Sequence, residues 1–294
     1  MTINLRLLLV MFLWAVCFPL ITMGIKYSPH LTFAALRAML SGVSLLVFAL
    51  IMGHSLPRGF KNWLSLLIIG LGATTFAFFG MFHAAEFVSP GLATVIASTQ
   101  PLMAALLAHW FIGEKLNGKG KIGLLLGFIG IVLITTPQLA VGSRNAFEIG
   151  IAYIIVAALG ITVSNVLIKR TAVSLEPSMA MGLQMILGSI PLAIIAMSTE
   201  QVTSIRWTGE FVLSLISLSL AGTALAYWMW SKILITVELS YANAFTFLVP
   251  IFALMMGIGF YGEQLSVVGS AGILLTLSGI YLVAKGKHSS FGAK

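Results

Sequence analysis

Two stretches of this chain are versions of one pattern. Residues 87–114 read FVSPGLATVIASTQPLMAALLAHWFIGE, and residues 236–263 read TVELSYANAFTFLVPIFALMMGIGFYGE. Each is a long apolar run with a proline inside it and a carboxylate at its end. Pro101 precedes Glu114 by 13 residues, and Pro250 precedes Glu263 by the same 13. An offset of 149 maps the first copy onto the second, and it also pairs Thr74 with Thr223, Ala77 with Ala226, Ala104 with Ala253, Gly113 with Gly262, Gly123 with Gly272, Leu126 with Leu275 and Gly130 with Gly279. A repeat half the chain long means that one folding unit is used twice.

The unit is a membrane unit. Charged residues are 8% of the chain, against roughly 25% in a soluble domain, and apolar residues are 59%. Ten runs approach the ~20 apolar residues that cross a bilayer as a helix. They fall at 7–25, 31–52, 63–83, 87–110, 121–137, 149–168, 178–197, 209–230, 239–260 and 267–284. Short connections with Ser-Pro, Asn-Gly and Glu-Pro breakers join them. A longer polar stretch near 138–148 divides the chain into halves at 1–140 and 141–294. The N-terminal run lacks an Ala-x-Ala cleavage site, so it reads as the first span rather than a signal peptide.

Charge sets the orientation. With a cytoplasmic N-terminus, twelve lysines and arginines face the cytoplasm, while Lys26, Arg144 and Arg206 face outward. That bias places both termini in the cytoplasm. Five spans per half is an odd number, so the halves sit upside down relative to each other. The loops agree: Lys115, Lys119 and Lys121 become Gln264, Val268 and Ser270 in the outward-facing copy. The expected fold is therefore an all-α membrane protein of ten transmembrane helices, built as two inverted five-helix repeats. Such repeats are a carrier architecture with a solute site near the midplane. The net charge of +8 belongs to this topology signal and implies no nucleic-acid partner.

Several residues stand out as expected solute contacts. Pro101 and Pro250 remove a helix hydrogen bond each and push on the carbonyls of Ala97 and Thr246, which predicts paired kinks around a shared cavity. Arg37 lies inside the second span and carries an insertion cost of at least ~2.5–3.5 kcal/mol. It either snorkels outward along its stem or meets a carboxylate. Its partner in the other half is Gln184, at an offset of 147. Gln100, Asn165, Gln184 and Asn243 are the other polar residues inside spans, where an interhelical hydrogen bond is worth ~0.6 kcal/mol. Trp14, Phe79, Tyr227 and Trp228 lie deeper than an interfacial aromatic belt and are expected to line an apolar pocket. Glu114 and Glu263 read as helix-end carboxylates paired with a nearby base. Glu86 with His83 is the least implausible proton-coupling pair. The small-residue faces Gly123–Gly127–Gly130 and Gly272–Thr276–Gly279 allow close helix approach within one monomer or across a homodimer.

The sequence carries no catalytic motif. Its five histidines lack metal-ligand spacing, Cys17 is the only cysteine, and neither a phosphate-binding loop nor a nucleophile elbow appears. An enzyme, a cofactor and a metal site are not expected. The expected partners are a small-molecule solute and the lipid bilayer.

The opening FLWAVCFPLITMGIKYSPHLTFAALRAMLSG, with Trp14 in the first helix and Arg37 in the second, resembles the EamA-type members of the drug/metabolite transporter superfamily. The doubled Pro…Gly-Glu unit with its following Gly-rich helix carries the same resemblance. Ala15 stands after Trp14 where that family often has Gly. The resemblance implies a ten-helix carrier in the bacterial inner membrane that exports amino acids or other small metabolites. A multidrug or lipophilic-cation exporter is the alternative, but it wants a carboxylate inside a span. A non-transporting sensor or assembly protein is the reading from a different class, and it predicts a sealed, dry interface between the halves.

Overall fold

The computed structural model describes residues 2–84, 87–88, 90–139, 147–171, 175–261 and 265–287. Among them are ten helices long and apolar enough to span a bilayer: α1 Ile3–Gly24, α2 His30–Ile51, α3 Phe60–Ala84, α4 Ala93–Ile112, α5 Gly118–Thr136, α6 Glu148–Thr171, α7 Pro177–Thr199, α8 Gly209–Thr236, α9 Leu239–Phe260 and α10 Val267–Gly286. No strand occurs among the described residues. All ten predicted runs are present. Several helices run past the predicted ends, because their polar residues (Asn4 and Arg6 in α1, Ser231 and Lys232 in α8) continue the helix beyond the apolar stretch. Glu86, Arg144, Gly262, Glu263 and Gln264 lie outside the described residues, as does most of the 138–148 connection.

The inversion is visible in the packing. The most extensive helix contacts join α5 to α10 and α2 to α7, which are repeat-related pairs. A Cβ placed on Gly123 would sit 2.5 Å from the Gly279 carbonyl oxygen, and one on Gly279 would sit 2.5 Å from that of Gly123. The same reciprocal approach, at 2.6 Å, joins Gly130 and Gly272. As the residue number climbs along α5, its partner's number falls along α10, so these equivalent helices run antiparallel. The α2–α7 pair behaves likewise, with Gly42 against Gly182 and Met39 against Ser189. Only glycine lets these backbones touch. The small-residue faces are thus spent on contacts inside the monomer.

Two local departures from the α-helix occur once in each half. Residues Leu71–Phe76 of α3 and Leu218–Leu225 of α8 form π-helical segments in equivalent places. The second departure is a break before each proline. In α4 the helix stops at Ala97 and restarts at Gln100, with Pro101 in its first turn. In α9 it stops at Ala244, passes through a 3-10 turn at Phe245–Phe247 and restarts at Leu248 with Pro250 close behind. The expected kinks are therefore full breaks, since a proline suits the first turn of a new segment. A threonine closes each break: Thr99 Oγ1 donates to the Ile96 carbonyl at 2.6 Å, and Thr246 Oγ1 donates to that of Asn243 at 2.7 Å. Pro19 in α1 and Pro191 in α7 also lie inside helices.

Candidate solute-binding site

The breaks and the π-segments bring polar side chains from both halves together within the spans. Asn243, at the α9 break, is at the centre. Its Oδ1 accepts from Gln100 Nε2 at 3.5 Å and from Asn165 Nδ2 at 3.4 Å, while its Nδ2 donates to the Leu239 carbonyl at 2.9 Å. Asn165 Oδ1 accepts from the Trp230 indole N–H at 3.0 Å. Gln100 comes from the first half and the other three from the second. Bonds of 3.4–3.5 Å lie at the weak edge of the range, so this chain holds together loosely where the halves meet.

An aromatic group continues from it. Trp14 packs on Trp230 with ring centroids 5.2 Å apart and on Tyr227 at 5.8 Å. The Tyr227 hydroxyl reaches the Ala73 carbonyl at 3.5 Å, beside the α3 π-segment residue Thr74. Thr74 Oγ1 donates to Gln184 Oε1 at 3.1 Å.

Arg37 occupies the matching position in the other half. Its Nε donates to Thr223 Oγ1 at 2.7 Å, its Nη2 reaches Cys17 Sγ at 3.7 Å, and its guanidinium lies 4.8 Å over the Phe78 ring. Thr223 in turn donates to the Leu218 carbonyl at 2.9 Å, the five-residue reach of a π-turn. Arg37 is 6% exposed, which rules out snorkelling in this conformation. The physical reason is the face it occupies: Ser41, one turn on, is tied to the Ser219 carbonyl of α8 at 3.0 Å, so this side of α2 faces protein. No ion pair to Arg37 occurs among the described residues.

The structure thus joins Trp14, Gln100, Asn165, Tyr227 and Asn243 into one group, with Arg37 and Gln184 on its flanks. Trp228 and Phe79 make no ring contact or side-chain hydrogen bond with this group among the described residues, although Trp228 packs on the same apolar core. Trp228 packs edge-on to Phe48 at 6.0 Å and lies 4.1 Å under the Lys232 ammonium. Phe79 stacks on His83 at 4.9 Å and meets Tyr153 edge-on at 5.6 Å, near the end of the bundle opposite the termini. Trp230, Thr74, Thr223, Cys17 and Phe78 belong to the group without having been singled out. The repeat already paired Thr74 with Thr223, which was the available signal. The centre is closed in this conformation: Asn243 and Gln184 are 0% exposed and Asn165 is 3% exposed.

Both ends of the interface are bridged by carboxylates. At the end that carries the termini, Glu114 accepts from the Leu239 and Ser240 backbone N–H groups at 2.8 and 3.2 Å and pairs with Lys169 at 2.7 Å. This agrees with the expected pairing to a base, and it adds a cap on α9. At the other end Glu200 accepts from the Leu31 and Thr32 N–H groups at 2.9 and 2.8 Å and lies 3.4 Å from His30. Each carboxylate caps a helix start in the opposite half, where the helix dipole favours negative charge. Tyr27 donates to Glu210 at this far end, and that bond pushes the tyrosine pKa above its ordinary value. His83 lies 3.5 Å from His30, and the Glu86 half of the expected pair is outside the described residues.

Two inverted five-helix modules meeting at a buried polar and aromatic centre within the spans define a carrier-type membrane protein. The sequence profile of the EamA-like transporter family matches residues 1–136 and 148–285. The chain belongs to that family, and it is a transporter rather than an enzyme. It is 28% identical over 271 residues to the uncharacterized transporter YvbV of Bacillus subtilis, covering 92% of this chain and 88% of the relative. It is 25% identical over 283 residues to the uncharacterized inner membrane transporter YedA of Escherichia coli K12, covering 94% and 88%. A protein of known crystal structure superposes with a TM-score of 0.85 at 18% identity, over 98% of both chains, which establishes the shared fold.

Proposed function

We propose that the protein is a secondary transporter that exports a small amphipathic metabolite, such as an amino acid, across the bacterial inner membrane by alternating access. The observation that carries this reading is the Gln100–Asn243–Asn165–Trp230 chain, which crosses the interface between the halves at the α4 and α9 breaks. Its bonds to Asn243 are long, and Gln184 Nε2 has no partner among the described residues. A permanently sealed interface would not keep buried polar groups so poorly matched. A centre that opens to water and solute in turn gives them partners. Trp14 and Tyr227 supply the apolar wall. The sequence places every carboxylate near a helix end, which disfavours a lipophilic-cation exporter. Both termini face the cytoplasm in this reading, and the unit is a monomer or homodimer.

The test is transport by purified protein in proteoliposomes across a broad metabolite panel, with cysteine labelling at position 243. The reading expects flux of at least one solute above empty vesicles, and labelling of Asn243→Cys by a water-soluble reagent. No flux across the panel, together with a position 243 closed to reagent from both sides, contradicts it.

A further inference from the structure

Arg37 and Gln184 occupy equivalent places in the two halves, and each bonds to the equivalent threonine of a π-segment. Arg37 on α2 donates to Thr223 of α8 at 2.7 Å. Gln184 on α7 accepts from Thr74 of α3 at 3.1 Å. The second copy makes the helix-to-helix link with a neutral amide. The architecture therefore needs no charge at this position, and the guanidinium in the first copy is there for something else.

Its surroundings say what. The cation is 6% exposed and has no ion pair among the described residues. Of its five N–H donors, only those on Nε and Nη2 are engaged there, by a hydroxyl and a thiol. Its two partners, Cys17 and Thr223, lie one helical turn from Trp14 and Tyr227, whose rings pack together at 5.8 Å. Phe78 covers one guanidinium face at 4.8 Å. An anion arriving at the free donors would have an aromatic wall beside it. Arginine's fork suits a planar carboxylate held by two parallel bonds.

We propose that Arg37 determines specificity by anchoring the carboxylate of the solute, whose apolar body lies against Trp14 and Tyr227. This inference rests on the carrier reading above. It assigns the charge requirement of the solute to one side chain of one repeat, and it makes Gln184 the neutral counterpart.

The experiment compares acid and amide pairs (phenylalanine with phenylalaninamide, tryptophan with tryptophanamide, leucine with leucinamide) in proteoliposomes holding wild type, Arg37→Gln or Arg37→Lys. Arg37→Gln copies the residue that the other half already accommodates. Wild type is expected to move at least one acid about tenfold faster than its amide, the scale of a charge-assisted bond. Arg37→Gln is expected to lower acid flux about tenfold and to leave amide flux within about twofold, collapsing the acid-to-amide ratio. Arg37→Lys keeps the charge but not the fork, and should retain part of the preference. Should Arg37→Gln fail to purify as a monodisperse protein, a reduced acid-to-amide ratio in Arg37→Lys carries the same conclusion. A wild type that moves acid and amide equally, or a substitution that lowers both alike, overturns the inference and leaves the carrier standing. So does a wild type that moves other metabolites but no member of these pairs. A wild type that moves nothing on either panel removes the carrier reading itself, and the inference with it.

Discussion

The α2–α8 contact around Arg37 and the α7–α3 contact around Gln184 are the same piece of architecture, used twice. Both place a side chain of a tightly packed helix against a threonine in a π-segment. Among the described residues, one copy carries a cation with no ion pair inside a span, and the other carries an amide with a spare N–H. Duplication kept the backbone devices: the glycine contacts, the π-segments, the breaks before Pro101 and Pro250. It let the side chains at the centre diverge. The difference teaches that scaffold and specificity are separable here. In the proposed reading, two-fold-related backbones make the pathway and unlike side chains decide what passes.

Substitutions test how far the two copies are alike. The largest effect is expected where they are the same. Gly130→Leu and Gly279→Leu each drive a side chain into a carbonyl that a Cβ would already meet at 2.6 and 2.5 Å. Each should destabilise the protein by about 3 kcal/mol, read as matching drops in melting temperature in detergent. Unequal drops would break the symmetry of the α5–α10 contact. Next comes Thr223→Val, which leaves a buried charged donor without its partner and should cost about 2 kcal/mol. Thr74→Val removes only a neutral bond to Gln184 and should cost about 1 kcal/mol. Equal costs would show that the charge at Arg37 is already satisfied elsewhere. The smallest effect is expected for Gln184→Met, which gives up one bond but also removes a buried N–H that has no partner among the described residues. Its melting temperature should correspond to a change within about 0.5 kcal/mol, and a larger loss would mean that the amide has a second role.

What could be read from the sequence follows the same division. The spans, the inversion and the pair of prolines beside which the helices break came from hydropathy and the 149-residue offset, because these depend on long patterns; the sequence suggested kinks there rather than breaks. The π-segments carry no proline, and the single glycine in each of LGATTF and LSLAGTAL is tolerated in an ordinary helix, so neither announces a π-turn. An extra residue in such a turn rotates everything after it. That is why helical phase did not distinguish Trp228, which faces Phe48 and Lys232, from Trp230, which is 1% exposed and bonds Asn165. Phe79 likewise follows the α3 π-segment, and its ring lies against His83 and Tyr153. The inward turn of Arg37 depended on which helices flank α2, and no local pattern states that. The caps made by Glu114 and Glu200 join residues more than a hundred positions apart.

The proposed alternating access needs the two modules to move against each other, and the Glu114 bridge offers a direct handle. Glu114 belongs to the first half and Ser240 to the second, and they touch at the end that carries the termini. In a variant with Cys17→Ser, Glu114→Cys and Ser240→Cys, a short reducible thiol crosslinker should fix that end shut. Transport of the solute found in the panel is expected to fall to the level of empty vesicles when the link is made, and to return when it is reduced. Undiminished flux through fully crosslinked protein would contradict the account.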